Sequence, residues 1–146
     1  MSDPVDVLGP GLKAWLEADA EVIAAFASKA VKVFDEIPPA DEHYPYVFLA
    51  GLDPDDATAD CYDAAEVNVQ ADVWARSRTV ARRIAKAVKA SIVRCEDTGD
   101  SPAFTLAGQR VVAVQPLSTQ YLNDPSDGRT IHAVIRATLS VDPTDP

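Results

Sequence analysis

The sequence has few of the residues that enzymes commonly use for catalysis or for binding phosphate groups. It contains two histidines, two cysteines and six glycines among 146 residues. The motif GxSxG, the motif GxxxxGK followed by Ser or Thr, and the motif GxGxxG are all missing from it. Neither His43 nor His132 has a catalytic partner at a recognisable spacing along the chain. We therefore expect a protein that is not an enzyme and that binds no cofactor.

The sequence also lacks the spacings that indicate a metal site. Cys61 and Cys95 form neither a CxxC pair nor another metal-ligand spacing. An aspartate-rich stretch over 53–63 lacks the glycine and the glutamate that an EF-hand loop requires, since Thr58 and Ala64 stand at those positions. We interpret this stretch as an exposed acidic loop that is a candidate for ordering on assembly. Its acidic residues are Asp53, Asp55, Asp56, Asp60 and Asp63.

Long apolar runs are missing too. No run approaches the 18 residues that a membrane-spanning helix needs. The first residues, MSDPVDVLGPG, lack the charged-then-apolar pattern of a signal peptide. We expect a single domain over 1–146 with no membrane partner, a loose leader over 1–9 and a frayed tail over 142–146.

Positive charge is scarce except in one segment. The net charge is −10, which argues against nonspecific binding of duplex DNA by the whole molecule. Residues 76–94 nevertheless contain seven basic residues and no acidic one. Such a segment suits pairing with an acidic surface on another copy of the chain, and the alternative is a solvated helix face with a few intramolecular pairs. We expect subunit-interface residues in this segment at Arg78, Arg82, Arg83, Lys86 and Lys89.

The same segment belongs to a predicted strand–helix unit over Glu66–Arg94. Apolar and polar residues alternate over 66–73, which predicts a half-buried strand. Ser77 is placed to cap the following helix, whose apolar positions from Val80 to Ile92 repeat at three- and four-residue spacing. This unit supplies one sheet face, a helix to cover it, and the basic outer stripe.

Amphipathic and turn patterns along the rest of the chain predict the other elements. A helix is predicted from Leu12 to about Ser28, opened by Pro10-Gly11. Strands are predicted over 31–34, 44–52, 103–106, 110–116 with an extension to 122, and 129–141. Because turns rather than helices join most of these strands, we predict an α+β fold: a mostly antiparallel sheet of four to five strands with two helices packed on one face.

Three stretches of the sequence resemble a known family. They are PYVFL at 45–49, EVNVQADVWARS at 66–77, and IHAVIRATLSV at 131–141 after Asp127-Gly128-Arg129. In this order, with the acidic loop and the basic helix between them, they resemble the tail terminator or tail completion (head–tail joining) proteins of long-tailed phages and gene transfer agents. The resemblance extends from about Leu12 to Val141.

The resemblance implies a structural virion protein, assembled in the bacterial cytoplasm and located in the tail or neck. It implies a hexameric ring that caps the tail tube and offers the surface for head–tail joining. Its partners would be other copies of itself, the tail tube protein and a head connector or neck protein, with DNA passing through the lumen without specific binding. The alternatives are a head-side connector, a small ligand-binding domain, or a hydrolase whose acidic loop holds a cation.

Overall fold

Two long strands with apolar side chains on one face form the centre of the protein. The computed structural model describes residues 4–55, 65–96, 104–106, 109–123 and 130–143. In chain order its elements are α1 (Pro4–Ala18), α2 (Ala20–Ala25), β1 (Val33–Phe34), β2 (Tyr46–Asp55), β3 (Ala65–Ala75), α3 (Arg78–Val93), β4 (Thr105–Leu106), β5 (Gln109–Asn123) and β6 (Ile131–Pro143). The central strands are β3 and β6.

All the strands belong to one sheet in the order β1-β2-β3-β6-β5-β4. Only β1 and β2 are parallel, and every other pair is antiparallel. The long strands β3 and β6 pair along their whole common length, from Ala65 opposite Val141 to Ala75 opposite Ile131. The pairs β2–β3, β3–β6 and β6–β5 are all antiparallel, so these four strands form a continuous antiparallel centre.

The helices and the apolar face of the sheet form one hydrophobic core. The alternation in β3 and β6 places every second side chain on this face, and α3 packs over β3, β5 and β6 while α1 packs over β1 and β2. The sheet contributes Val47, Leu49, Val67, Val69, Ala71, Val73, Val111, Ala133, Ile135, Ala137, Leu139 and Val141 to this core. The helices contribute Leu8, Leu12, Leu16, Val22, Phe26, Ile84, Val88 and Ile92. The helices therefore cover one face of the sheet, as expected.

The predicted α+β class is confirmed, and two details differ. The sheet has six strands instead of four or five because β1 and β4, each of two residues, extend it at its edges. Strand β2 continues through Asp53, Pro54 and Asp55, so the acidic stretch is not a loop from its first residue. Those three residues pair with β3, from Asp53 opposite Asn68 to Asp55 opposite Glu66. Pro54 is tolerated because β1 covers the outer edge of β2 only at Val47 and Phe48.

The prediction of a loose leader over 1–9 was wrong for residues 4–9, because α1 already begins at Pro4, and residues 1–3 lie outside the described part. Leu8 lies one turn before Leu12, and both side chains are fully buried, so the apolar stripe of the helix extends further toward the N-terminus than predicted. Pro10, taken as the opening of the helix, lies inside it. At the other terminus β6 continues to Pro143, two residues into the predicted frayed tail, while residues 144–146 lie outside the described part.

The single helix predicted from Leu12 to Ser28 is two helices with a break at Asp19. The Asp19 carboxylate accepts hydrogen bonds from the backbone N–H groups of Glu21 (2.9 Å) and Val22 (3.1 Å), which makes it the N-cap of α2. Helix α2 ends before Ala27 and Ser28, whose φ angles are positive, at 50° and 70°. A strong capping residue inside an amphipathic pattern thus marks the start of a new helix.

Asp19 also ties α2 to the end of α3. Its Oδ2 accepts hydrogen bonds from Ser91 Oγ (2.9 Å) and from the Arg94 guanidinium (2.6 Å). The backbone oxygen of Ser91 accepts a hydrogen bond from Trp15 Nε1 in α1 (2.9 Å). Burial tends to raise the pKa of Asp19, but the hydrogen bonds from Arg94, Val22 and Ser91 outweigh it and lower the pKa below its ordinary value. The three helices therefore meet at one charged, hydrogen-bonded junction.

Replacing Asp19 should destabilise the fold more than replacing its exposed neighbour. Asp19→Ala removes the α2 cap and a nearly buried partner of Arg94, so we expect a loss of about 2 kcal/mol in the free energy of unfolding. Glu21→Ala, which removes only the exposed contact to Arg94, should cost well under about 1 kcal/mol. Urea denaturation of the two variants measures the difference, and equal losses would contradict the assigned role of Asp19.

The contribution of the Asp19 charge should depend on pH. Because folding lowers the pKa of this carboxyl, the folded protein binds fewer protons than the unfolded chain. The stabilisation is complete above the ordinary pKa of 3.8 and is lost as the pH falls through the lower, folded value. The stability difference between the natural protein and Asp19→Asn should therefore be largest near neutral pH and shrink in acid. A difference that grows on acidification would refute the assigned direction.

Candidate functional site

The outer face of α3 presents a row of exposed basic side chains. Ser77 caps the helix by accepting a hydrogen bond from the Val80 N–H (3.1 Å), as predicted. The apolar face of the helix is buried at Ile84, Val88 and Ile92, which directs the opposite face to solvent. The exposed basic residues, called here the basic face, are Arg78, Arg82, Arg83, Lys86 and Lys89.

The basic face keeps most of its charge unpaired. Within the described residues none of its five side chains forms an ion pair with a carboxylate. Arg83 has a structural contact, because its Nε donates a hydrogen bond to the Ala25 oxygen at the end of α2 (2.8 Å). Arg78 donates to Asn123 Oδ1 (3.4 Å), and the Arg82 guanidinium carbon lies 5.9 Å from the centre of the Tyr121 ring. The cations of Lys86 and Lys89 are the most available to a partner.

The two described aspartates of the acidic stretch lie far from the beginning of α3. Asp53 and Asp55 pair with residues near the beginning of β3, whereas α3 begins three residues after the last residue of β3. A strand of the length of β3 spans about 35 Å, so these two aspartates and the beginning of α3 lie at opposite ends of the sheet. Asp53 and Asp55 are in β2, and Asp56, Asp60, Asp63 and Cys61 lie outside the described residues.

The sheet face opposite the helices carries a row of aromatic and polar side chains. Trp74 and His132 face each other across β3 and β6 and stack with ring centroids 4.0 Å apart. Asp72, expected on a solvated face, is only 5% exposed. Gln70 Nε2 donates a hydrogen bond to Asp72 Oδ1 (3.0 Å), and His132 Nε2 lies 3.1 Å from Asp72 Oδ2 without hydrogen-bond alignment. Residue spacing did not reveal this group because its members come from different strands.

The described residues do not assemble an evident catalytic or metal site. They hold no group of three or more His, Cys, Asp or Glu side chains placed to bind a metal ion. A surface hollow of about 390 Å³ is lined by Glu42, His43, Tyr44 and Arg76, among others, but Glu42 is already paired with Lys32 at 2.8 Å. Among the helices of the described residues, none is long and apolar enough to cross a membrane.

Cys95 is a buried structural residue beyond the end of α3. Its side chain is fully buried, and burial raises the pKa of the thiol to about 12. The negative end of the α3 dipole also opposes a thiolate at this position, but burial is the largest cause of the shift. A thiol with this pKa stays protonated throughout the physiological range and is a poor nucleophile.

Two comparisons with known proteins identify relatives of this chain. The family model described as Tail completion protein gp17 matches residues 10–142. A chain in the solved structure of the virion of a native gene transfer agent particle has the same fold, with a TM-score of 0.78 and 20% sequence identity over 97% of this chain and 98% of that chain. Another solved chain, 19% identical, superposes with a TM-score of only 0.45. No curated protein sequence matches at a significant level.

The reactivity of Cys95 gives a direct test of its assigned environment. In a Cys61→Ser background, about one thiol in 10⁴ is ionised at pH 8 if the pKa is about 12. We expect no measurable reaction with Ellman's reagent in the folded protein and one rapidly reacting thiol after denaturation. Rapid labelling of the folded protein would show that Cys95 is neither buried nor shifted as assigned.

Proposed function

Because the chain belongs to the family of Tail completion protein gp17, we propose that it forms a ring that closes the tail tube and presents the surface for head–tail joining. The general role follows from membership of this family: the chain is a structural tail-completion protein of the virion. The ring, its hexameric stoichiometry, the tube protein and the head connector or neck protein as partners, and passage of DNA through the lumen are the proposed part.

One observation carries the ring proposal: in a strongly acidic protein, the basic face has no carboxylate partner among the residues that the structure describes. Such a surface attracts an acidic surface of another copy, while the rest of each molecule repels its neighbours. The acidic side chains of Asp53, Asp55, Asp56, Asp60 and Asp63 are the proposed counterpart. The basic face and the acidic stretch are different surfaces, so their contact is heterologous, and a heterologous contact that closes on itself generates a ring.

The negative net charge also fits the proposed passage of DNA. A lumen lined with many lysines and arginines would bind the phosphate groups and retard the duplex. In the proposed ring the basic side chains are used between subunits. The lumen is then predominantly acidic or neutral, and DNA moves through without specific contacts.

The proposal is tested by measuring assembly as a function of salt and of charge on the basic face. Lys86→Glu/Lys89→Glu is the most suitable double change because neither side chain has an ion-pair partner within the described residues. Arg83 is a poor choice, because its bond to the Ala25 oxygen stabilises the fold. The matched control is Lys29→Glu/Ala14→Glu/Ala20→Glu, which changes the net charge equally at exposed sites outside α3.

We expect light scattering to detect the ring, alone or on purified tail tubes, and to lose it in Lys86→Glu/Lys89→Glu but not in the control. Raising the salt concentration from about 0.05 M to about 0.5 M should weaken assembly of the natural protein, because exposed charge pairs are screened. Ring formation unaffected by both changes would refute the charge-pairing interface. A protein that stays monomeric and does not bind tail tubes would refute the ring. Binding only to tail-free heads would favour a head-side connector.

A further inference from the structure

Strand β5 is an edge strand whose exposed part carries no charged side chain, although Pro116 and the register shift beside it interrupt the strand. Within the described residues β4 pairs only with Gln109 and Arg110, so from Val111 onward the backbone of β5 has one neighbouring strand, β6. Residues 111–123 contain no Asp, Glu, Lys or Arg. Exposed edges of monomeric proteins are commonly guarded by charged side chains because an unguarded edge associates with other chains. The uncharged edge of β5 therefore has the character of a contact surface.

The same strand exposes three large hydrophobic side chains. Leu117, Tyr121 and Leu122 are 54%, 39% and 50% exposed. The basic side chains at the beginning of α3 border them, because Arg82 lies over the Tyr121 ring and Arg78 bonds to Asn123 at the end of β5. We call this surface, formed by Leu117, Tyr121 and Leu122 with Arg78 and Arg82 beside them, the β5 edge surface. Tyr121 lies opposite Ala133 on the helix side of the sheet, and Leu122 lies opposite His132 on the open side. The apolar centre of this surface therefore extends around the edge strand, and the positive rim borders it on the helix side.

The opposite edge of the sheet carries a surface with the complementary properties. The turn over 35–39 follows β1 and reads Asp-Glu-Ile-Pro-Pro, and its Ile37 side chain is 86% exposed. Two prolines limit the conformations of this turn. Its base is fixed by Lys32, which pairs with Glu42 (2.8 Å) and donates to the His43 oxygen (3.0 Å). The Ile37 turn is thus an apolar projection beside two acidic residues.

These two surfaces cannot meet within one molecule. Four strand spacings separate β1 from β5, which amounts to about 19 Å across the sheet. They do lie at the same height along the strands, because Phe34 aligns through Phe48, Asp72 and Val134 with Gln120, next to Tyr121. A neighbouring copy rotated about an axis parallel to the strands, without translation along it, brings one surface to the other.

We propose that the Ile37 turn of one copy docks on the β5 edge surface of the next copy, with Ile37 against Tyr121 and Leu122 and with Asp35 and Glu36 facing Arg78 and Arg82. The contact is heterologous and repeats around a closed ring. This inference rests on the proposed ring and names a contact that forms it, in addition to the pairing of the basic face with the acidic stretch.

Cross-linking of single-cysteine variants tests this contact directly. In a Cys61→Ser background, with the buried Cys95 retained, Ile37→Cys and Leu122→Cys are each treated with a short bismaleimide under the conditions of ring or tube binding. We expect each variant alone to give no dimer and an equal mixture of the two to give one. The double variant should give a ladder ending at the ring size. Ile23→Cys mixed with Leu122→Cys is the control, because Ile23 is an exposed isoleucine (48%) on a different element, α2.

The possible outcomes separate this contact from the ring itself. Dimers from Leu122→Cys alone would indicate two β5 edges meeting across a two-fold axis and would overturn the proposal. A ring detected by light scattering without any product between positions 37 and 122 would overturn the contact and leave the ring intact. If neither a ring nor a cross-linked product forms, both the contact and the proposed ring are overturned.

The affinity of association provides a second measurement. Ile37→Asp should raise the dissociation constant between subunits about 10- to 100-fold, since burial of one isoleucine is lost, whereas Ile23→Asp should leave it nearly unchanged. Glu36→Arg should also weaken association, and combining it with Arg82→Glu should restore part of the loss. The contact would be excluded by two results together. Glu36→Arg combined with Arg82→Glu would recover no affinity, and Ile37→Asp would leave the dissociation constant between subunits unchanged.

Discussion

The one-sided apolar alternation of β3 and β6 is the constraint on which the rest of the structure depends. Both strands place Val, Ala, Ile and Leu on the same face over their full paired length. A shift of register by one residue would move all of these side chains to the other face. The helices therefore have one surface to cover, and α1, α2 and α3 all pack there. A two-layer protein with one open sheet face is the consequence.

Several polar side chains on the open face are hydrogen-bonded to one another. Thr138 donates to Asn68 (2.9 Å), Gln70 donates to Asp72, and Arg136 donates to Gln120 (3.3 Å). The stacked rings of Trp74 and His132 cover part of the same face. Groups that need a partner concentrate elsewhere: the lysines on the basic face, the hydrophobic side chains on the β5 edge, and Ile37 on the far edge. This distribution favours assembly side by side, through the edges of the sheet and α3.

The sequence predicts the parts of the fold that depend on local periodicity. The β3–α3 unit, its Ser77 cap and the exposed basic face all follow from alternation and helical spacing, and the structure has them as predicted. The position of Asp19 is different. Its capping role is a local property, but its contacts to Ser91 and Arg94 join residues more than 70 positions apart, and nothing in the spacing brings them together.

The exposure of side chains at the edges of the sheet also cannot be predicted from the residue pattern along the chain. Leu117, Tyr121 and Leu122 have the composition of an ordinary strand, and only the strand order makes β5 an exposed edge. Asp72 alternates as a solvent-facing residue, yet its cross-strand neighbours bury it. The proposed contact of Ile37 with the β5 edge depends on such topology. Ile37 and Leu122 are 85 positions apart in sequence and belong to opposite edges of one sheet. In the proposed contact they are neighbours between two copies.

The charge distribution imposes a condition on how copies of this protein come together. At a net charge of −10 two molecules repel each other at long range, so random encounters are disfavoured. Attraction requires a basic face or a positive rim to approach an acidic surface, within about a Debye length of 10 Å. Only oriented copies meet this condition, and an apolar contact such as that of Ile37 then adds stabilisation that salt does not screen.

A template that orients the subunits, as the end of a tail tube does in the proposed ring, removes much of the orientational cost. Assembly is thereby favoured at the tube end over assembly in solution.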